Sequence, residues 1–126
     1  MSTRGNICIK VKSKDFNKVN NKILEKVSEE SPYLYIYNHW DSYPSGLGTL
    51  LIMNYNSYED ALELILEGDC SFPGNPYSEN EGYEETQPKT ATNTAETNQQ
   101  EYLYVFEDDK WTCYNDRMNI EEIPSK

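Results

Sequence analysis

Tyr35-Ile36-Tyr37-Asn38-His39-Trp40-Asp41-Ser42-Tyr43-Pro44-Ser45-Gly46-Leu47-Gly48 is the stretch around which the rest of this chain is arranged. It holds the only histidine, one of two tryptophans, an aspartate, a proline and two glycines. Leu34 and Ile36 alternate with Tyr33, Tyr35, Tyr37 and His39, which is the period of a strand with one buried face. Pro44 suits the opening of a helix, and Gly46 and Gly48 allow a bend or a close backbone approach. The apolar Thr49-Leu50-Leu51-Ile52-Met53 follows at once, so the pattern predicts strand, sharp turn and a short helix over Leu47–Met53.

Upstream, Gly5–Lys12 alternates Ile7, Ile9 and Val11 with Cys8, Lys10 and Lys12, a half-buried strand. Phe16, Val19, Ile23 and Val27 then recur at helical spacing to about Glu30, with Leu24 widening the stripe and Ser13 or Asp15 as cap. Ser31-Pro32 ends that helix, because proline disfavours a helical residue before it. Downstream, Ser57 caps a second helix with Asp60 three residues on. Ala61, Leu62, Leu64, Ile65 and Leu66 give it a broad apolar side, and Gly68 is its stop.

From Ser71 to Gln100 the composition turns polar, with three prolines and little to bury, and predicts a long mobile loop or insertion. Order returns in Glu101–Tyr114, where Leu103 and Val105 alternate with Tyr102, Tyr104 and Phe106. Glu107-Asp108-Asp109-Lys110 turns, and Trp111–Tyr114 runs back as the second arm of a hairpin. At 126 residues the chain is read as a single domain over 1–126, with 71–100 a flexible insertion within it. The expected fold is α+β: a small antiparallel sheet of about four strands, two or three helices on one face, and the polar insertion before a C-terminal hairpin. In that sheet the face away from the helices would collect Tyr33, Tyr35, Tyr37, Tyr102, Tyr104 and Phe106, together with Lys10 and Lys12.

Charge is uneven. The formal net charge is -11, yet residues 1–26 hold seven Lys or Arg against two acids. Residues 27–88 hold no Lys or Arg and twelve Asp or Glu. Such a field repels long polyanions and favours basic partners, including surfaces built to hold nucleic acid, or else serves only solubility. Three cysteines without CxxC spacing and one histidine support neither a zinc site nor a disulfide framework, so no metal or cofactor is expected. No apolar run approaches eighteen residues, which predicts a soluble protein of a reducing compartment with no membrane partner.

Ser2-Thr3-Arg4-Gly5-Asn6-Ile7 together with Tyr37–Gly46 resembles a family of small uncharacterised bacteriophage and prophage proteins. Those open with an STR-G/S-N-I signature and carry an HWDGYP-x-G motif after a strand. Asn54–Ser71 is similar to the family's helix and its G-D-x-S exit. The resemblance covers about the first 71 residues and the closing hairpin; Ser42 stands where the family has glycine, which would strain a turn needing positive φ there. It implies phage origin and a host-cytoplasmic setting, and no reaction.

Three groups of candidate site residues follow. The motif corner is Arg4, His39, Trp40, Asp41, Tyr43, Gly46 and Gly48. His39 and Asp41 offer a base and its orienting acid, Gly46–Thr49 a backbone cradle for phosphate, and Arg4 with Asp41 an ion pair. The same residues equally suit a hydrogen-bonded corner locking strand to helix. The aromatic sheet face offers Tyr35, Tyr37, Tyr102 and Tyr104, and the acidic surface Glu59, Asp60, Glu63, Glu67 and Asp69, joined by Glu79, Glu81, Glu84 and Glu85. Two functions fit these features. One is a phage-encoded, non-catalytic inhibitor that offers an acidic, tyrosine-rich surface to a host protein with a basic nucleic-acid-binding surface. The other is a module that stacks a nucleotide or single-stranded nucleic acid on the tyrosine face. Alternatively that face is a second buried layer, covered by the 71–100 segment or by a second copy of the chain.

Overall fold

A computed structural model describes residues 3–77 and 86–124. Six strands form one sheet: β1 (Gly5–Lys10), β2 (Tyr33–Asn38), β3 (Lys89–Ala91), β4 (Tyr102–Glu107), β5 (Lys110–Asn115) and β6 (Ile120–Glu121), in the order β3-β2-β1-β4-β5-β6. The helices among the described residues are α1 (Phe16–Asn20), α2 (Thr49–Asn54), α3 (Tyr58–Leu66) and the single turn α4 (Thr94–Thr97). The α+β class stands.

The sheet is mixed rather than antiparallel. β1 and β4 run parallel, with Ile7 opposite Tyr104 and Cys8 opposite Val105, while every other neighbouring pair is antiparallel. Two strands beyond the expected four lie in polar sequence: β3 is Lys-Thr-Ala at the edge beside β2, and β6 is two residues beside β5. Both are too short to show a period of two. The polar insertion therefore supplies part of the sheet, and only 78–85 of it, including Glu79, Glu81, Glu84 and Glu85, lie outside the described residues.

The parallel pair reverses one expectation about faces. Neighbours in a register share a side, so Tyr104 follows Ile7 onto the helix-covered face, and Tyr102 and Phe106 go with it. Leu103 and Val105 instead join Cys8 on the other face, beside Tyr33, Tyr35 and Tyr114. Tyr102–Phe106 is apolar in both registers, so alternation alone did not say which side was inward.

The principal core unites Ile7, Ile9, Leu34, Ile36, Tyr104, Phe106 and Trp111 with Val19, Leu47, Leu51, Ala61 and Ile65. α3 is capped by Ser57, which accepts from the Asp60 amide at 3.1 Å, and stops at Gly68 with φ +93°. Its start lies beside the end of β1, where the Lys12 amide donates to the Tyr58 hydroxyl. Its exit lies at the end of β2, where the Cys70 amide donates to the Tyr37 carbonyl.

The long helix expected to about Glu30 is only α1, entered through a 3-10 turn at Ser13–Asp15. Asn20 ends it: its side chain donates to the Val27 carbonyl and accepts the Val27 amide, which folds residues 21–27 back on the helix. Val19, Ile23 and Val27 are buried as expected, but Leu24 is exposed. No side-chain cap bond forms at the α1 start.

On the far face, the chain from β3 must cross β2 and β1 to reach β4. α4 lies on this crossover, and Asn6 donates from its side chain to the Thr97 carbonyl at 2.8 Å. Thr97, Cys8 and Leu103 are buried there. The tyrosine face is thus partly covered by the chain's own polar segment.

Candidate functional site

The motif loop leaves β2 at Asn38 and enters α2 through one π-helical turn, Pro44–Gly48. Its rigidity comes from residues between those that look reactive. Asn38 and Ser42 are completely buried. Asn38 donates from Nδ2 to the Trp40 carbonyl at 2.8 Å and to Ser42 Oγ at 2.9 Å, closing the loop on itself. The Tyr104 hydroxyl donates to the Ser42 carbonyl at 2.6 Å, and the Ser42 amide to the Thr3 carbonyl at 3.0 Å. A Cβ on Gly5 would stand 2.8 Å from the Ser42 Cβ, so the strand opposite is cut away for this serine. The residue in positive φ is Asp41, at 57°, not Ser42, so serine carries no strain.

This arrangement corrects the corner expected from the sequence. Trp40 is 47% and Tyr43 39% exposed, and Asp41 is exposed, so the three hold the corner through backbone hydrogen bonds and not through their side chains. Arg4 forms no ion pair with Asp41; its amide donates to Glu101 and its carbonyl accepts from Glu101 and Tyr102. His39 and Asp41 are likewise not brought together. Tyr37 and His39 instead share a 2.6 Å hydrogen bond through the Tyr hydroxyl and Nδ1, and the imidazole meets the Trp40 ring edge-on at 4.7 Å between centroids.

The phosphate cradle is closed as well. The Gly46 amide donates to the Tyr43 carbonyl, the Leu47 amide to Asp41 and the Thr49 amide to Gly46 and Pro44. Gly48 is buried against Tyr104, where an added Cβ would stand 3.2 Å from the ring. A Cβ on Gly46 would sit 2.6 Å from the Asp41 carbonyl oxygen, which is the close approach that requires glycine here.

What the loop does present is a fixed display. Trp40 and Tyr43 are held outward while the backbone beneath them is tied on three sides. The Trp40 amide donates to the Ser71 carbonyl and the His39 amide to Cys70, tying the loop to the exit of α3.

Of the aromatic sheet face, Tyr35 and Tyr37 are on the outer side and half-buried, but Tyr102 and Tyr104 lie on the helix side. A cavity of about 160 Å³ lies between Tyr35, Tyr37, Asp69 and Lys89, and Gln99 donates to the Tyr35 hydroxyl beside it.

The acidic surface keeps four of its five described members. Glu59, Asp60, Glu63 and Glu67 are exposed on α3, and the four-residue spacing of Glu59, Glu63 and Glu67 aligns them in one row. Asp69 departs from them. It is partly buried, accepts the Tyr37 amide at 2.9 Å, and burial raises its carboxyl pKa despite that bond and nearby Lys89. Its carboxylate thus serves the edge of the sheet at Tyr37.

Sequence reasoning passed over Asn38 and Ser42 because polar side chains of this size carry no pattern of their own. The signal available was position, since Asn38 is the inward residue in phase with Leu34 and Ile36. No helix among the described residues is long and apolar enough to cross a membrane. Comparison with protein-family models, with curated proteins and with solved structures finds no match to this chain.

Proposed function

We propose that the protein is a non-catalytic interaction module, a phage-type inhibitor that docks on a basic, nucleic-acid-handling surface of a host protein. Trp40 and Tyr43 are its anchors, and the row Glu59, Glu63 and Glu67, with Asp60, supplies the charge that steers the encounter. The observation that carries this reading is the outward Trp40 and Tyr43 on a loop whose backbone is locked by buried Asn38, Ser42 and Tyr104. Trp and Tyr dominate binding energy at protein interfaces, and a loop ordered before binding loses little entropy when it docks.

Charge supports the same partner. Residues 27–88 hold twelve acids and no Lys or Arg of their own. The two ion pairs among the described residues, Lys10–Glu107 and Lys14–Asp15, draw their lysines from the N-terminal segment. A like-charged nucleic acid would be repelled by such a surface, whereas a basic protein surface is attracted.

The test is a pull-down from host lysate with and without nuclease, at low and high salt. The parent and a Glu59→Gln, Glu63→Gln, Glu67→Gln variant are used as baits. A protein retained after nuclease, weakened by salt and lost with the variant is the expected result, since exposed charges are screened over about 8–10 Å at physiological ionic strength. Equal retention by the neutralised variant would remove the charge from the mechanism.

A further inference from the structure

A second feature lies at the opposite end of the sheet, where no motif marks it. β1 and β4 are the one parallel pair, and their chains part at their carboxyl ends: from β1 through α1 toward β2, from β4 by a tight turn into β5. Connections leaving in opposite directions open a crevice above the strand ends, the position where ligands bind in open sheets of parallel strands. The crevice here is a cavity of about 580 Å³, within the range of small-molecule sites.

Its lining pairs an apolar wall with a surplus of negative charge, Glu29, Glu107, Asp108 and Asp109 against Lys10 and Lys12. Val11, Phe16, Tyr58 and Phe106 form the wall. Glu29, Asp108 and Asp109 line it without any hydrogen bond or ion pair from their side chains among the described residues. The two lysines present are already engaged. Lys10 lies 3.6 Å from Glu107, whose other oxygen accepts from the Tyr33 hydroxyl at 3.1 Å. The Lys12 ammonium sits 4.5 Å from the centre of the Tyr58 ring, so this wall already receives a cation.

We propose that this cavity binds an organic cation, a primary amine or guanidinium on an apolar stem. The stem lies against Phe16, Tyr58 and Phe106, and the charge meets Glu29, Asp108 and Asp109. The same chemistry is offered by a free diamine and by a lysine or arginine side chain of a protein. The site is separate from the Trp40 loop, so its failure leaves the docking proposal untouched, and the reverse.

Amide NMR titrations of the full chain test it, with 1,5-diaminopentane and an end-blocked lysine tetrapeptide as probes and 1-pentanol and inorganic phosphate as controls. Saturable shifts confined to residues 10–16, 29–32, 58 and 106–109 are expected with at least one cationic probe and neither control. Saturation by the diamine alone assigns a free amine; saturation by the peptide assigns a protein side chain. Asp108→Asn with Asp109→Asn keeps the turn, because asparagine tolerates their positive φ of 58° and 63°. That variant should bind about tenfold more weakly, the loss of a charge-assisted contact, while its spectrum away from the turn stays that of the parent. Absence of saturable shifts from both amines, equal binding by the variant, or equal response to pentanol or phosphate would overturn the assignment.

Discussion

The Tyr104 hydroxyl lies 2.6 Å from the Ser42 carbonyl oxygen, so a residue in the middle of β4 holds a loop more than sixty positions earlier in the chain. Both residues are fully buried, so neither group can turn to water if the bond is lost. The loop's outward display of Trp40 therefore depends on a side chain that touches no partner.

Tyr104→Phe should lower stability by about 1–3 kcal/mol, the cost of leaving a buried acceptor without its donor. Thermal and urea unfolding measure it. Partner retention should fall as well, because the loop loses one of its ties, although position 104 is inaccessible.

Much of the core was legible in the sequence, and much of the topology was not. Ile7, Ile9, Leu34, Ile36, Val19, Ile23 and Val27 are buried as their spacing required, since periodicity reports which side of an element meets apolar neighbours. It does not report where a helix ends, and the Asn20 clamp on Val27 stops α1 while the apolar spacing continues. Nor does it phase a strand apolar on both faces, which is why Tyr102 and Tyr104 were expected on the wrong side. The parallel β1–β4 pairing is a relation between distant segments, invisible to any local window. At the loop, bulk and rarity drew attention to His39 and Trp40, while the buried bonds went to Asn38 and Ser42.

Asp69→Asn should leave stability at pH 7 equal or higher, because asparagine keeps an oxygen for the Tyr37 amide and removes a partly buried charge. The sign follows from the raised carboxyl pKa. The folded state binds this proton more tightly than the unfolded one, so the Asp69 contribution favours folding at low pH. It is lost as pH rises from the ordinary aspartate range through the raised value. Melting temperatures of parent and variant between pH 3 and 7 should therefore differ least in acid and most at neutrality.

The three thiols should be silent in the native protein. Cys8, Cys70 and Cys113 are buried, and burial pushes Cys70 up to about 12 and Cys113 up to about 11, with Cys8 raised further. Since the thiolate is the reactive form, a thiol reagent at pH 8 should label none of them within minutes and all three in denaturant. Rapid labelling of Cys8 in the native state would mean that the α4 crossover opens readily from the far face of the sheet.

Binding by parent and by Trp40→Ala, Tyr43→Ala, at matched concentration and with melting curves recorded for both, tests the docking proposal most directly. Exposed as they are, the two side chains should cost far less than the roughly 3–5 kcal/mol of a buried tryptophan, so the melting temperatures should nearly coincide. Retention of the nuclease-resistant host protein should fall at least about tenfold, the consequence of removing anchors worth 2 kcal/mol or more. A variant that melts with the parent and retains the same protein equally well would contradict the assignment of this loop as the binding surface.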